Sequence, residues 1–366
     1  MTNNIKFALE DITLIPAPIS NIGSRSQVVI KNNQDQYPIM IAPMDSVIND
    51  DNAKIFKCLG LITFSIRQKE LIPEYLHHFK FNVGDKSRYD YTSISLDQLV
   101  EINENTIHRN FNYNFNTGIL IDIAQGAMKK LMDELRTFKR DYPNVPVVVG
   151  NIANPQTYKV WSEILTNIDS IRCSIGNGSA CTSASNTGVF YPMGSLIKEI
   201  YDIKENLESH GNNNLPKIIA DGGVKNFDDI IKLINLGADY VMCGNIFAQS
   251  IEACSNVYLC GVNVTKIKEQ LFGIKILKNY LYRKYRGMST KEVQRDVFGK
   301  KSNEIRTSEG ITTIVKIKYN VLKWVENLDS YLKSACSYSN CNSIDEFRGS
   351  QTYIHISNNA LKSYKK

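Results

Sequence analysis

No run of apolar residues in this chain approaches the eighteen or so that a membrane-crossing helix needs. No C-x-x-C pair occurs among its eight cysteines. That spacing argues against a zinc site, and the length of the chain argues against a disulfide framework. The five histidines are scattered, and the adjacent His77-His78 have poor metal-ligand spacing. Charge of one sign is also lacking. Against 43 Lys and Arg stand 37 Asp and Glu, a net +6 spread evenly along the chain. This argues against nucleic acid as a partner and leaves room for a small anionic molecule. Gly/Pro-rich linkers, low-complexity tracts and internal repeats are missing, so residues 1–366 are expected to form one domain. The first residues lack a charged segment followed by an apolar core. With no cysteine framework, this predicts a cytoplasmic protein with no membrane partner.

What the chain does contain is an alternation of short apolar runs with amphipathic segments. Strands are expected at 39–42, 61–64, 118–122, 145–149, 170–174, 217–220 and 240–243, with an eighth near 91–95. These runs are continuous rather than alternating, as in buried parallel strands. Helical faces follow: Leu131, Leu135 and Phe138 within 128–142; Ile230, Ile231 and Ile234 within 227–236, where Asn226 is a candidate N-cap; and Leu322, Val325, Leu328 and Leu332 within 321–335. The strands near 121, 148 and 173 recur at roughly one βα unit. The pattern predicts a (β/α)₈ barrel, with a doubly wound sheet as the alternative. Past residue 245 it loosens. The stretch 252–285 reads as an insertion, 285–289 as a turn, about 286–310 as a mobile flap and 357–366 as a flexible tail.

A barrel carries its chemistry at the C-terminal ends of its strands. Glycines and polar residues gather there: Ala42-Pro-Met-Asp45, Asp122-Ile-Ala124, Gly150-Asn151, Asp221-Gly-Gly223 and Cys243-Gly-Asn245. The most informative stretch is Ser174-Ile-Gly-Asn-Gly-Ser-Ala-Cys181-Thr-Ser183. A strand candidate runs into a glycine-rich turn that ends on a cysteine between hydroxyl residues. Successive amide N–H groups in such a turn can cradle an anion, and a cysteine among them gains nucleophilic character. Gly176-x-Gly178 could also open a dinucleotide fingerprint, but Cys181 occupies the third glycine position. The plainer reading of Cys181 is a small apolar residue.

These residues also carry a resemblance. The cysteine loop, with Thr187-Gly-Val-x-Tyr-Pro192 behind it, resembles that of GMP reductases, within the superfamily that includes IMP dehydrogenase. Ser24-Arg-Ser26, Ala42-Pro-Met-Asp45, Asp122-Ile-Ala124, Gly150-Asn-Ile152, Asp221-Gly-Gly223, Gly237-Ala-Asp239, Arg286-Gly-Met-Ser289 and Arg306-Thr-Ser-Glu-Gly310 match in order. The resemblance spans nearly the whole chain. It implies a barrel assembled as a homotetramer that converts GMP to IMP and ammonia at the expense of NADPH, through a thioimidate at purine C2. It makes Cys181 the nucleophile, with Ser183 and Glu309 handling the proton. Ser179, Asp221, Gly222, Gly223, Gly244, Asn245, Gly287, Met288, Ser289, Arg306, Thr307, Ser308 and Gly310 would hold the nucleotide. NADPH would meet Ser24, Arg25, Arg67, Asp122, Ile123, Ala124, Ile175, Gly176, Met288, Ile305 and Arg306, and Ser334, Ala335, Cys336 and Ser337 from a neighbouring subunit. Backbone carbonyls of Gly176, Gly178 and Cys181 would hold potassium.

The chain departs from that pattern in places. Ser183 stands where a threonine is usual and keeps the hydroxyl. Ala184 replaces a basic residue of the cation loop, Asn245 replaces a second glycine, and Asn177 replaces proline or serine. Two other readings follow. An IMP dehydrogenase would need a water-activating arginine in an Arg-Tyr-Phe-like run, which 290–306 lacks, and commonly carries a tandem regulatory domain for which the region after Phe64 is too short. A catalytically inactive purine-nucleotide-binding protein would not need Cys181, Ser183 and Glu309 intact.

Overall fold

The computed structural model describes residues 5–69, 89–107, 115, 117–164 and 167–364. The His77-His78 pair and the final Lys365-Lys366 lie outside the described residues. A short strand β1 (Ile12–Leu14) leads into seven parallel strands. These are β2 (Ile39–Ile41), β3 (Tyr91–Ile94), β4 (Gly118–Asp122), β5 (Val147–Ile152), β6 (Ser170–Cys173), β7 (Lys217–Asp221) and β8 (Tyr240–Cys243). Their spatial order is β2-β8-β7-β6-β5-β4-β3. Residues 61–64 close this sheet into a ring, because Ile62 bridges Met40 on one side and Phe64 bridges Tyr91 on the other. The strand expected at 61–64 is thus present as two isolated bridges, and the eighth expected near 91–95 is β3. Closure selects the (β/α)₈ barrel over a doubly wound sheet.

Side-chain parity separates two cores. Met40, Ile62, Phe64, Leu120, Val148, Ile219 and Met242 point inward and fill the barrel. Their neighbours Ile39, Ile41, Ile119, Ile121, Val147, Val149, Ile171, Ile218 and Val241 point outward, into the layer shared with the helices. The helices follow the predicted faces. In Lys129–Asp141, Leu131, Leu135 and Phe138 are fully buried. In Phe227–Asn235, the Asn226 side chain accepts from the Asp229 amide at 3.0 Å, which caps the first turn. Val321–Tyr338 runs three residues past its expected end.

Other boundaries differ from expectation. β5 starts two residues later than expected, because Pro146 has no N–H to give the ladder, and runs on through Ile152 alongside β6. Tyr285 and Arg286, read as part of a turn, finish a strand. The insertion forms an antiparallel sheet of β9 (Val257–Leu259), β10 (Val262–Asn263), β11 (Leu281–Arg286) and β12 (Thr312–Lys316), ordered β10-β9-β11-β12. Since Arg286 pairs with Thr312, the segment expected as a flap is the loop of a ribbon fastened at both ends. Within it, Lys291–Asp296 is helical, with Thr290 as N-cap. At the chain end β13 (Tyr353–His355) pairs with β1, and the stretch expected as a tail is helical over Asn358–Tyr364.

Candidate active site

The cysteine loop leaves β6 at the C-terminal mouth of the barrel and turns back on itself. The Cys181 amide donates to the Gly178 carbonyl at 2.9 Å, and the turn continues into the short helix Ser183–Thr187. The ribbon loop then docks on it as an extra strand. Cys181 bridges Gly310, the Thr182 amide donates to the Glu309 carbonyl at 2.8 Å, and the Ile311 amide donates to the Ala180 carbonyl at 3.0 Å. Two glycines permit this approach. A Cβ on Gly287 would lie 2.6 Å from the Ala180 carbonyl oxygen, and one on Gly310 would lie 3.1 Å from it.

Backbone docking brings three side chains into line. The Cys181 thiol donates to the Ser183 hydroxyl at 3.3 Å, and that hydroxyl donates to Glu309 Oε2 at 2.7 Å. The chain can carry a proton from sulfur to carboxylate and back. Ser183 is buried, Cys181 half-buried and Glu309 exposed, so the sulfur is reachable while its relay is held from behind. Cys173 and Cys243 differ. Both are buried, and burial pushes their thiols above the ordinary range, which keeps them neutral.

Around the thiol the predicted phosphate elements meet. Asn245 Nδ2 donates to Ser179 Oγ at 3.0 Å. A Cβ on Gly222 would sit 3.0 Å from the Gly178 nitrogen, so the turn after β7 lies directly against the cysteine loop. Gly244 lies under the Tyr285 hydroxyl: a Cβ there would come within 2.9 Å of it. Tyr285 is buried, which pushes its hydroxyl above the ordinary range, while a hydrogen bond with Ser179 pulls the other way. Sequence reasoning missed this residue by placing it in a turn. Met288 is half-buried and Ser289, Arg306 and Thr307 are exposed on the ribbon loop. The Arg306 backbone is held by Gln294, whose side chain accepts from its amide at 2.9 Å and donates to its carbonyl at 3.1 Å. Ser308 Oγ donates to the Gly310 carbonyl at 2.6 Å.

The residues expected to meet a dinucleotide fall into two groups. At the barrel mouth Arg67 donates to the Asp122 carbonyl at 2.9 Å and lays its guanidinium over Phe298 of the ribbon loop, 4.5 Å from the ring centre. Ile123 and Ala124 follow Asp122, Ile175 and Gly176 stand half-buried in the loop after β6, and Ile305 is half-buried on the ribbon. Elsewhere, Arg25 donates to Ser334 Oγ at 3.2 Å, and Ser24 caps the turn Arg25–Gln27. Ala335, Cys336 and Ser337 share the Ser334 helix, but Cys336 is fully buried, so its side chain faces the core and not a ligand. Among the described residues no hydrogen bond or ion pair joins the two groups.

Sequence reasoning also passed over Arg172. Its position on β6 is inward, and its guanidinium donates to Asp122 Oδ1 and to Asp221 Oδ2, both at 2.8 Å. Asn151 Nδ2 donates to the same Asp221 oxygen at 2.8 Å. Burial opposes the Arg172 charge, but the two carboxylates more than restore it and hold its pKa above the ordinary value. The signal was available: a charged residue amid the apolar run 170–174.

The chain matches the family model described as IMP dehydrogenase / GMP reductase domain over residues 6–365. It is 26% identical to human GMP reductase 2 over 372 residues, covering 97% of this chain and 95% of that protein. It is 28% identical to GMP reductase 2 of Bos taurus with the same coverage. GMP reductase of Ascaris suum is 24% identical, covering 98% of this chain and 95% of that protein.

Proposed function

The chain belongs to the IMP dehydrogenase / GMP reductase family, and from that premise we propose that it is a GMP reductase, reducing GMP to IMP and ammonia with NADPH. The observation that carries the reading is the continuous Cys181–Ser183–Glu309 hydrogen-bond chain, assembled from a barrel loop and the ribbon loop. The long coverage of curated reductases supports it.

Purine C2 bonded to an exocyclic amine is electrophilic once the ring is hydrogen-bonded. The Cys181 proton passes through Ser183 to Glu309, and sulfur forms a bond to C2. The C2–N2 bond then breaks, and the amine leaves as ammonia with the proton returned along the same chain. A thioimidate on Cys181 remains. NADPH, when bound, supplies the hydride that C2 needs. As the C2–S bond breaks, sulfur departs as thiolate and IMP is released.

Ser179, Gly222, Gly223, Gly244 and Asn245 would surround the phosphate, joined by the Tyr285 hydroxyl. Asp221 would accept from ribose hydroxyls through the carboxylate oxygen that Arg172 and Asn151 leave open. Gly287, Met288, Ser289, Arg306, Thr307, Ser308 and Gly310 would line the base. For NADPH the donor set fits: Arg25, Arg67 and Arg306 offer planar guanidinium forks suited to phosphate. In a homotetramer, the paired Arg25 and Ser334 would meet a dinucleotide held by Arg67 and Asp122 of a neighbouring subunit. The cation fits as well. Carbonyls of Gly176, Gly178 and Cys181 are uncharged oxygen donors of the kind potassium takes, and Gly178 spends only one lone pair on the Cys181 amide.

The test is optical. With GMP and NADPH the nicotinamide absorbance should fall. With IMP and NAD⁺ it should not rise. A rise with IMP would assign a dehydrogenase, and silence in both would favour a nucleotide-binding protein without catalysis.

A further inference from the structure

Parity on the barrel strands places Asp122, Arg172 and Asp221 at inward positions at the C-terminal mouth, one on each of β4, β6 and β7. Between β4 and β6 stands Gly150 of β5, which pairs with both Asp122 and Arg172. A Cβ on Gly150 would fall 2.7 Å from Arg172 Cβ and 2.5 Å from its carbonyl oxygen, so the glycine lets the β6 backbone approach closely at Arg172. The guanidinium fork then grips one oxygen of each aspartate at 2.8 Å. Arg172 is only 8% exposed, so this is a buried bridge rather than a surface pair. The two carboxylates carry one charge more than the guanidinium, and each keeps a further oxygen for an incoming donor. Asn151 adds a donor on the Asp221 side, and the Arg67 fork hangs from the Asp122 carbonyl on the other.

We propose that Arg172 is a positioning residue that couples the two halves of the site, so that a nucleotide seated on Asp221 orders the Asp122 side for the dinucleotide. The inference rests on the reductase reading, in which Asp221 belongs to the nucleotide half and Asp122 to the dinucleotide half. Its physical basis is shared ordering. A ligand hydroxyl that fixes Asp221 fixes the fork, the fork fixes Asp122, and the second ligand meets a half-site already arranged. Linkage makes the effect reciprocal. Lysine would not substitute, because a single ammonium is a point charge without the fork that reaches two carboxylates in one plane.

The experiment uses the full chain carrying Cys181→Ala, which blocks turnover. NADPH binding is measured with and without saturating GMP, and GMP binding with and without saturating NADPH. Each ligand is expected to tighten the other by the same factor, about fivefold or more. In the Arg172→Gln variant that factor should fall to near one. Arg172→Lys should behave alike and provides a second reading where the glutamine variant does not fold. In chains with Cys181 intact, Arg172→Lys should raise KM for both substrates together, whereas a merely structural role would lower the yield of folded protein and leave both KM values alone. A parent that binds both ligands without mutual tightening overturns the coupling. So does tightening that survives in folded Arg172→Lys. A parent that binds neither ligand removes the reductase reading, and the coupling with it.

Discussion

Replacing Ser183 by alanine removes one oxygen atom from the middle of the relay. The thiol loses its acceptor at 3.3 Å and Glu309 loses its donor at 2.7 Å. The ribbon loop stays docked, since its attachment runs through the backbone: Thr182 to Glu309, Ile311 to Ala180, and the Cys181–Gly310 bridge. Substrate binding should therefore change little, and the loss should fall on the steps that move a proton. A hydrogen bond to a carboxylate contributes about 1.5–3 kcal/mol, which is a rate factor of roughly ten to a hundred if it acts only in the transition state. General acid–base assistance sets a range of about 10²–10⁴-fold, so a fall in kcat near 100-fold is expected. KM for GMP should stay near the parent value. Glu309→Gln should cause a similar loss, and the double variant little more than either alone, because both cut one chain. Ser183→Thr keeps the hydroxyl and should keep most of the activity. The assay is steady-state loss of NADPH absorbance at saturating dinucleotide. An alanine variant within twofold of the parent kcat would refute the relay.

Cys181→Ala should abolish turnover while GMP still binds by calorimetry; retained turnover would remove the covalent step. Activity should rise when potassium replaces choline as the only monovalent cation, and indifference would mean that the loop carrying Ala184 holds no cation. Phe247 is fully buried against Phe56 and Trp324, so Phe247→Ala should cost about 3–5 kcal/mol in denaturant unfolding; a loss under 1 kcal/mol would contradict the packing. Burial raises the pKa of Asp229 above its ordinary value, although the Lys225 amide donates to it at 2.7 Å. A raised folded value gives stability that is complete below the unfolded value and fades as pH climbs through the folded one. Relative to Asp229→Asn, the parent should thus lose stability as pH rises above about 4, and parallel curves for the two would refute the assignment.

What was legible in the sequence, and what was not, divides along physical lines. Apolar runs report burial, so β4 and β8 fell where expected residue for residue, while the ends of β5 depended on Pro146 and on pairing with β6. Residues 61–64 read as a strand like the others, yet only Ile62 and Phe64 are bridged, because ladder continuity is set by the neighbours and not by the run itself. Tyr285 was misplaced for a related reason. Its local neighbours Gly287 and Ser289 look like a turn, and only its pairing with Thr313 makes it part of a strand. Among the catalytic candidates, Cys181 and Ser183 are two residues apart and were visible together. Glu309 is 126 positions from Ser183 and reaches it through strand-like docking that no local pattern encodes.

Arg172 is the instructive omission. Composition around it is apolar, and the periodicity argument treats such a run as uniform. Applying inward and outward parity to the same run, with Ile171 and Cys173 facing the helices, turns the arginine into the barrel mouth. A buried guanidinium without partners is prohibitively costly, so that position demands carboxylates on nearby strands. Asp122 and Asp221 are the acidic residues that end β4 and β7. Gly150, on the strand between Asp122 and Arg172, leaves room for the Arg172 backbone and Cβ. Parity and charge balance together assemble this cluster from the sequence, whereas composition and motif matching alone pass over it.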